Sequence, residues 1–316
     1  MSTASNRTII GRFAPSPTGP LHFGSLVTAL ASFLNVKHRA GKWLVRIEDI
    51  DPPREVPGSK DSILKQLEQH GLIWDDTVIY QSSHLERYQD IIQQFKQQDL
   101  TYHCRCNRQR LRDLGGVYDG KCSTLELTED YAAVRLRIGK VLDTMHSGNH
   151  LQKIPYTPLI SFTDQLMAQY NQHIEHDIGD FILRRRDGLV SYHLAVVIDD
   201  HDQKISEVLR GADLLDSTPR QIVLQRCLKF CTPTYIHIPM ALNKDGQKLS
   251  KQTHAKALIE GQESQNLWIA LDWLQQNPPL ELKDSAVDEI LHWAINHWNL
   301  SNISASSQGI PAPQNF

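Results

Sequence analysis

No run of 18 apolar residues occurs anywhere in the 316-residue chain, which excludes a membrane-spanning helix at the level of sequence. The opening residues, MSTASNRTII, also lack the basic segment and long apolar core of a secretion signal, and the expectation is a cytoplasmic protein with no membrane partner. An excess of positive charge is missing too: 33 Lys and Arg stand against 36 Asp and Glu, for a net charge of −3 and a pI near 6.6. A nucleic acid would have to be held by local basic patches rather than by the field of the whole surface. Cysteine is scarce and odd in number, five in all. Without a secretion signal, that argues against a disulfide framework and for thiols that are reduced or metal-bound. Internal repeats and low-complexity tracts are absent, and no obligate protein partner is implied. What remains, 40% hydrophobic and 22% charged residues, describes a globular chain with a substantial core and either several domains or one domain with a large insertion.

The rest of the chain is organised around Arg12-Phe-Ala-Pro-Ser16-Pro-Thr-Gly-Pro-Leu-His22-Phe-Gly24-Ser25. Before it, Thr8 to Ala14 is β-branched and apolar, as a buried parallel strand requires, and Pro15, Pro17, Gly19 and Pro20 then forbid regular structure. From Leu21 the apolar residues Leu26, Val27, Leu30, Phe33 and Leu34 recur at helical spacing, predicting a helix to about Arg39 that Gly41 stops. His22, Gly24 and Ser25 fall in its first turns. A helix start of this kind offers unpaired N–H groups and a positive dipole to an anion, and Gly24 lets a ligand approach the backbone. Taken alone, the same pattern also fits an ordinary buried strand-loop-helix corner.

A second buried strand, Trp43 to Ile47, ends at Glu48. Ligands of open α/β sheets sit at the carboxyl ends of strands, so Arg12 and Glu48 can converge on one crevice. Together they suit a zwitterion, Glu48 accepting from an ammonium and Arg12 clasping a carboxylate; equally, the two could pair with each other or face solvent. Residues 59–71 and 83–98 read as amphipathic helices that complete a first βαβ half near residue 100. The character then changes. Cys104-x-Cys106, followed by Tyr118-x3-Cys122, offers three thiolates and a phenolate for a tetrahedral zinc site, with His103 or Asp119 as alternatives to the tyrosine and three buried structural cysteines as the metal-free reading. Strands are expected at 132–137 and 181–183. Arg105, Arg108, Arg110, Arg112 and Arg184 to Arg186 read as a solvated face or as a place to neutralise phosphates.

From Leu189 an apolar strand-to-helix passage ends in two acids, and Ile205 to Gly211 follows as a strand carrying Arg210. On residues alone, Tyr192 is a core tyrosine and Arg210 a strand-end arginine. Thr218-Pro-Arg-Gln221 has the form of a helix start with a threonine cap. Cys227 and Cys231, four apart on that helix with no third ligand, are expected in the core. Lys248-Leu-Ser-Lys251-Gln252 reads by itself as a surface loop. Only 64 residues follow Gln252, with helical patterns around 267–274 and 286–298 and a polar tail from Ser301 that composition predicts to be without structure.

Three of these stretches carry a resemblance. The RFAPSPTGPLHFGS segment resembles the His-Ile-Gly-His nucleotide-binding signature of class I aminoacyl-tRNA synthetases and, in its longer context, the glutamyl-tRNA synthetase group. KLSKQ resembles the Lys-Met-Ser-Lys-Ser loop of the same class, with Leu249 for methionine and Gln252 for the last serine. The Cys104, Cys106, Tyr118, Cys122 set, and the lack of room for an anticodon-binding region, are similar to the glutamyl-Q tRNA(Asp) synthetases over roughly residues 10–255. The resemblance implies an α/β fold, a Rossmann-like parallel sheet with helices on both faces: a first catalytic half over 1–100, a zinc-containing insertion over 101–185, a second half with the lysine loop over 186–255 and a helical C-terminal part over 256–316. It implies that Arg12, Ser16, Glu48, Tyr192 and Arg210 bind glutamate, that His22, Gly24 and Lys251 bind ATP, and that His22, Gly24, Ser25, Lys248 and Lys251 serve catalysis. It further implies one structural Zn2+, Mg2+ entering with ATP, and as partners ATP, L-glutamate and a tRNA(Asp) bearing queuosine. A compact glutamyl-tRNA synthetase that charges a 3′ end, and a non-catalytic paralogue that binds tRNA or ATP, are the other readings.

Overall fold

In the computed structural model, residues 8–147, 159–249, 255–314 and 316 are described. The first half runs β1 (Ile10–Phe13), α1 (Phe23–Lys37), β2 (Lys42–Ile47), α2 (Ser59–Gln69), β3 (Ile79–Tyr80) and α3 (Leu85–Gln97). There follow β4 (Thr101–Cys104), α4 (Arg108–Asp113), β5 (Ala133–Leu136), α5 (Ile138–Ser147), the hairpin of β6 (Leu159–Asp164) and β7 (Ala168–His173), and β8 (Ile182–Arg184). The second half is α6 (Tyr192–Asp202), β9 (Glu207–Gly211), α7 (Thr218–Leu228), β10 (Thr234–Ile238) and β11 (Ala241–Leu242), and the chain closes with α8 (Glu263–Trp273), α9 (Val287–His297) and β12 (Ile310–Pro311).

The central sheet has the order β10-β9-β1-β2-β3 and every pairing in it is parallel. Chain order reverses between β9 and β1, so a crevice opens at their carboxyl ends. β2 shows why such strands read as unbroken apolar runs: Trp43, Val45 and Ile47 enter the core on the α1 face, and Leu44 enters the core on the other. α1 is buried on most of its surface between the sheet and the pair α8 and α9. Removing a fully enclosed side chain such as Leu34 from it would cost about 2–5 kcal/mol. The polar groups trapped there are satisfied. Asn35 Nδ2 donates to Glu207 at 2.6 Å, Trp298 Nε1 donates to Asn35 Oδ1 at 2.8 Å, and Trp43 Nε1 donates to Ser32 Oγ at 2.9 Å.

Several expectations shift. The reversal after α1 puts Ala40, not Gly41, in the left-handed region (φ 53°); Gly41 is needed because a Cβ there would lie 2.6 Å from the Ile9 carbonyl oxygen. Insertion strands and helices share the second core with α3, α6 and α7, as Val134, Leu136, Val141 and Ile160 pack with Ile91, Val197 and Val223. The C-terminal tail is also structured. Ile310–Pro311 pairs with Ala241–Leu242, Trp273 Nε1 donates to the Pro311 carbonyl at 2.9 Å, and Phe316 packs on Phe23 at 4.4 Å between ring centres. Composition suggested otherwise because a few apolar anchors suffice once a strand edge is present to pair with. Cys231 is exposed, because α7 ends at Leu228, and Cys227 is only half-buried, so neither is the core residue expected.

Candidate active site and metal centre

A cavity of about 780 Å3 lies over the β1–β9 crevice. Of the ten residues expected to handle glutamate and ATP, nine line it: Arg12, Ser16, His22, Gly24, Ser25, Glu48, Tyr192, Arg210 and Lys248. Lys251, the tenth, lies outside the described residues, as do Ser250 and Gln252. Arg12, Glu48 and Arg210 arrive there because each stands at or just past the end of a parallel strand.

His22 is the N-cap of α1, its Nδ1 accepting from the Ser25 N–H at 3.4 Å. A Cβ on Gly24 would sit 3.3 Å from the His22 ring and 3.6 Å from the Leu249 carbonyl oxygen. The two signatures, some 225 residues apart in the chain, thus meet where the helix presents its free N–H groups. Lys248, exposed, forms an ion pair with Asp213 at the rim.

The floor of the cavity is a buried charge cluster. Arg46, fully enclosed, lies 2.8 Å from Asp200, 3.5 Å from Glu48 and 3.7 Å from Asp199, and donates to Gln203 Oε1 at 2.6 Å. Arg12 donates to Asp200 at 3.2 Å. Arg12 and Glu48 therefore do not simply pair with each other. Asp199 is saturated elsewhere by Gln81, His84 and Tyr88. Burial works against the Arg46 charge, yet Asp200, Asp199 and Glu48 outweigh it and hold the guanidinium above its ordinary range. Burial would raise Asp200 likewise, but Arg12 and Arg46 keep it below the usual carboxylate range. At Glu48 burial wins over both arginines and pushes the carboxyl up to about 7. Two arginines thus face three carboxylates, and Glu48, which shares Arg46 with Asp199 and Asp200, is the one that also lines the cavity; an incoming ammonium would balance the excess negative charge there.

Arg210 is fixed by a different set. Its Nε donates to His237 Nε2 at 3.0 Å, Nη2 donates to Thr218 Oγ1 at 2.8 Å and to the Leu214 carbonyl at 3.3 Å, and Nη1 donates to the Tyr192 hydroxyl at 3.4 Å. Asp164, at 2.7 Å from His237 Nδ1, accepts a hydrogen bond from that nitrogen's N–H, which keeps the ring proton on Nδ1 and leaves Nε2 free to accept from the arginine. Thr218 is thereby diverted from the capping role its sequence suggests: Ser217 is the N-cap of α7 and makes no side-chain capping bond.

Arg46, Asp200, Asp164 and His237 have no assigned role in the sequence reading. Arg46 and His237 are polar residues inside apolar strand runs, WLVRI and YIHI, and Asp200 is the second of two acids ending an apolar helix. A charge in such a run has to be paired where it is buried, and that is the signal by which these three could have been found.

The second centre lies in the insertion. Cys104, Cys106 and Cys122 bring their sulfurs within 4.8 Å of one another, with Cys106 and Cys122 at 3.6 Å, and the Tyr118 hydroxyl lies 3.4 Å from Cys104 and 3.5 Å from Cys106. Tetrahedral zinc with sulfur at about 2.3 Å and oxygen at about 2.0 Å has edges of roughly 3.8 and 3.5 Å, so these four donors fit it. The alternatives to tyrosine are engaged elsewhere, His103 with the Leu127 carbonyl and Asp119 with Arg110. The Arg135 guanidinium lies 3.9 Å above the Tyr118 ring. With burial opposing it, Cys122 is nonetheless lowered to about 7 by the Tyr118 hydroxyl and the neighbouring thiols. The arginines at 184–186 are tied to Glu129, to Asp51 and Asp187, and to the Tyr131 carbonyl respectively.

The family model described as class I tRNA synthetases (E and Q), catalytic domain, matches residues 8–266. The chain is 48% identical over 294 residues to a glutamyl-Q tRNA(Asp) synthetase of Pectobacterium atrosepticum, covering 92% of this chain and 85% of the other. It is 45% identical over 311 residues to one of Citrobacter koseri, at 98% and 99% coverage. Among solved structures, a glutamate tRNA ligase from Elizabethkingia meningosepticum in complex with its amino acid superposes with a TM-score of 0.74 at 23% identity, over 98% of this chain and 68% of that one, which is a likeness of fold.

Proposed function

The chain belongs to the class I glutamyl- and glutaminyl-tRNA synthetase catalytic-domain family and, within it, to the glutamyl-Q tRNA(Asp) synthetases, and from that premise we propose that it activates L-glutamate with ATP and passes it to queuosine in tRNA(Asp). The observation that carries the first step is the buried cluster of two arginines and three carboxylates whose Glu48 opens into a cavity also lined by Arg12, Arg210 and Lys248. Glu48 receives the α-ammonium of glutamate. Arg210, held rigid by His237 and Thr218, receives a carboxylate with Tyr192 alongside. The start of α1, with His22 and Gly24, cradles phosphates, and Lys248 with Lys251 meets the charge of the departing pyrophosphate.

In the first step an oxygen of the glutamate α-carboxylate attacks the α-phosphorus of ATP. The bond to the bridging oxygen breaks, and pyrophosphate leaves with its electron pair. In the second, a queuosine hydroxyl oxygen attacks the adenylate carbonyl carbon, an ester forms, AMP leaves with the electron pair, and the hydroxyl proton goes to phosphate or water. Positioning and preorganised charge supply the catalysis, and no protein nucleophile is used. Magnesium, when bound with ATP, supplies neutralisation of phosphate charge. Zinc held by Cys104, Cys106, Tyr118 and Cys122 fills its coordination sphere with protein donors, so its contribution is structural.

The test is transfer of labelled glutamate, with ATP, to matched bulk tRNA from cells able and unable to make queuosine, with nuclease mapping of the label. Label confined to queuosine-bearing tRNA(Asp) supports the reading. Equal labelling of both pools at a 3′ end identifies a compact glutamyl-tRNA synthetase, and no label in either pool, with no glutamate-dependent pyrophosphate exchange, identifies a binding paralogue.

A further inference from the structure

The start of α1 faces two ways. Leu21, His22, Gly24 and Ser25 line the large cavity, whereas Phe23 is fully buried and does not line it. Its neighbours come from the C-terminal part: the Trp273 ring meets it edge-on at 6.1 Å between ring centres, and the Phe316 ring covers it at 4.4 Å. The side chain that anchors the phosphate-facing helix start is therefore clamped by the tail.

The same tail reaches a second part of the cavity wall, where Met240, Ala241, Lys248 and Leu249 stand. On one edge of β11 the Leu249 N–H donates to the Ala241 carbonyl at 2.7 Å and the Asn243 N–H to the Gln247 carbonyl at 2.8 Å, so the lysine loop begins as a return strand on β11. On the other edge lies β12, where the Ile310 N–H donates to the Met240 carbonyl and the Ala312 N–H to the Leu242 carbonyl, both at 2.8 Å. The tail's sequence suits that edge. In Ile310-Pro311-Ala312-Pro313 the prolines, which have no N–H, alternate with the two donors, so the ladder loses nothing and the outward positions offer no donor for further pairing. Gly309 leads in at φ 92°, and a Cβ there would lie 2.7 Å from the Met240 carbonyl oxygen and 2.8 Å from the Leu242 side chain. Trp273 Nε1, which donates to the Pro311 carbonyl at 2.9 Å, joins the two contacts into one unit.

We propose that residues 309–313 together with Phe316 are a positioning strap for the nucleotide, which sets the spacing between the start of α1 and the strand from which the lysine loop hangs. The inference rests on the functional reading above, since it assigns the strap to ATP. Its members act through Phe23 and β11 and not on substrate, so they position and do not catalyse. Glutamate is served by other elements: Arg12, Glu48 and Arg210 stand at the ends of β1, β2 and β9, none of which pairs with β12, and Tyr192 starts α6. The strap should therefore be felt at ATP and not at glutamate.

The test compares Gly309→Val, Ala312→Pro, which deletes one rung of the ladder, Phe316→Ala and the ring-keeping Phe316→Tyr in the intact chain. Glutamate-dependent pyrophosphate exchange gives the KM for each substrate, calorimetry gives the affinity for Mg-ATP alone, and Tm is recorded for every variant. Small misplacements of bound groups are costly, and the KM for ATP should rise by about tenfold in Gly309→Val. A lost backbone hydrogen bond or aromatic contact is milder, so a rise of about threefold is expected in Ala312→Pro and Phe316→Ala, with Phe316→Tyr close to wild type. The KM for glutamate should stay within about twofold throughout. If Gly309→Val does not fold, the other variants decide. Unchanged constants for ATP, or equal losses at both substrates that follow Tm, would overturn the strap. Absence of exchange in the wild type would overturn the functional reading instead, and Mg-ATP affinity would then uphold the strap if the variants weaken it and overturn the strap if they do not.

Discussion

The glutamate crevice and the cysteine cluster are held in shape by different means. Around the crevice, two of the proposed ligand-binding side chains are the last links of chains of buried partners: Asp164 orients His237, His237 and Thr218 orient Arg210, and Asp200 with Arg46 orients Arg12. Two large apolar cores lie beneath it, one on each face of the sheet. The cluster of Cys104, Cys106, Tyr118 and Cys122 has only a small core of its own, consisting of Tyr102, Cys104, Tyr118 and Cys122, with Cys106, Leu111 and Leu127 packed against it. One region rests on buried partners and large cores; the other has little besides its four donor side chains to hold it.

That difference orders the expected effects of perturbation. Arg210→Ala should be the most damaging, because it removes the charge and leaves Thr218 and His237 without their buried donor: kcat/KM for glutamate in pyrophosphate exchange should fall by about a thousandfold, roughly 4 kcal/mol, and Tm should drop by several degrees while the surrounding cores keep the chain folded. A drop of less than about tenfold would mean the crevice is not prebuilt around Arg210. Next comes metal removal. Chelation, or Cys106→Ser, should strip about one zinc per chain in elemental analysis, open residues 101–130 to limited proteolysis and lower transfer by roughly 10–100-fold, with exchange much less affected. Equal loss of both activities would erase the distinction between the regions.

Acidity sharpens the crevice side. A carboxyl raised to about 7 in the folded state binds its proton more tightly there than when unfolded, so the stability Glu48 contributes is fully present below its unfolded value and lost as pH rises through about 7. Glutamate reverses the sign, since its ammonium favours the ionised carboxylate. The KM for glutamate should therefore rise by about tenfold per unit as pH falls below 7, and the gain in Tm on adding glutamate should be larger above pH 7 than below it. A KM flat across that window would remove Glu48 as the ammonium's partner. The smallest effect belongs to Gly24→Ala. Its methyl group would press on the His22 ring at 3.3 Å and approach Leu249 at 3.6 Å, which should raise the KM for ATP by about three- to fivefold and leave that for glutamate unchanged.

How much of this the sequence discloses depends on where the partners of each residue lie. Residues that end a parallel strand or start a helix, such as Arg12, Glu48 and His22, advertise themselves through local pattern, and so does Cys104-x-Cys106. Arg46 and His237 show only as polar residues inside apolar runs and Asp164 not even so, and their roles stay hidden because what fixes them is a partner 73 to 154 residues away that no window of sequence contains. The tail from Ser301 illustrates the same limit from the other side. Its composition is polar, but its strand partner, Ala241–Leu242, and its aromatic anchor, Phe23, are both distant in the chain.

The most direct test of the central claim is a crystal structure of the chain with a non-hydrolysable glutamyl-adenylate. The account predicts the ammonium within hydrogen-bond reach of Glu48, a glutamyl carboxylate on Arg210 and the phosphate against the start of α1, with Arg12, Arg46 and Arg210 where they already stand. A glutamyl group bound away from Glu48 and Arg210, or a buried charge cluster rearranged to receive it, would contradict the claim that the crevice is prebuilt.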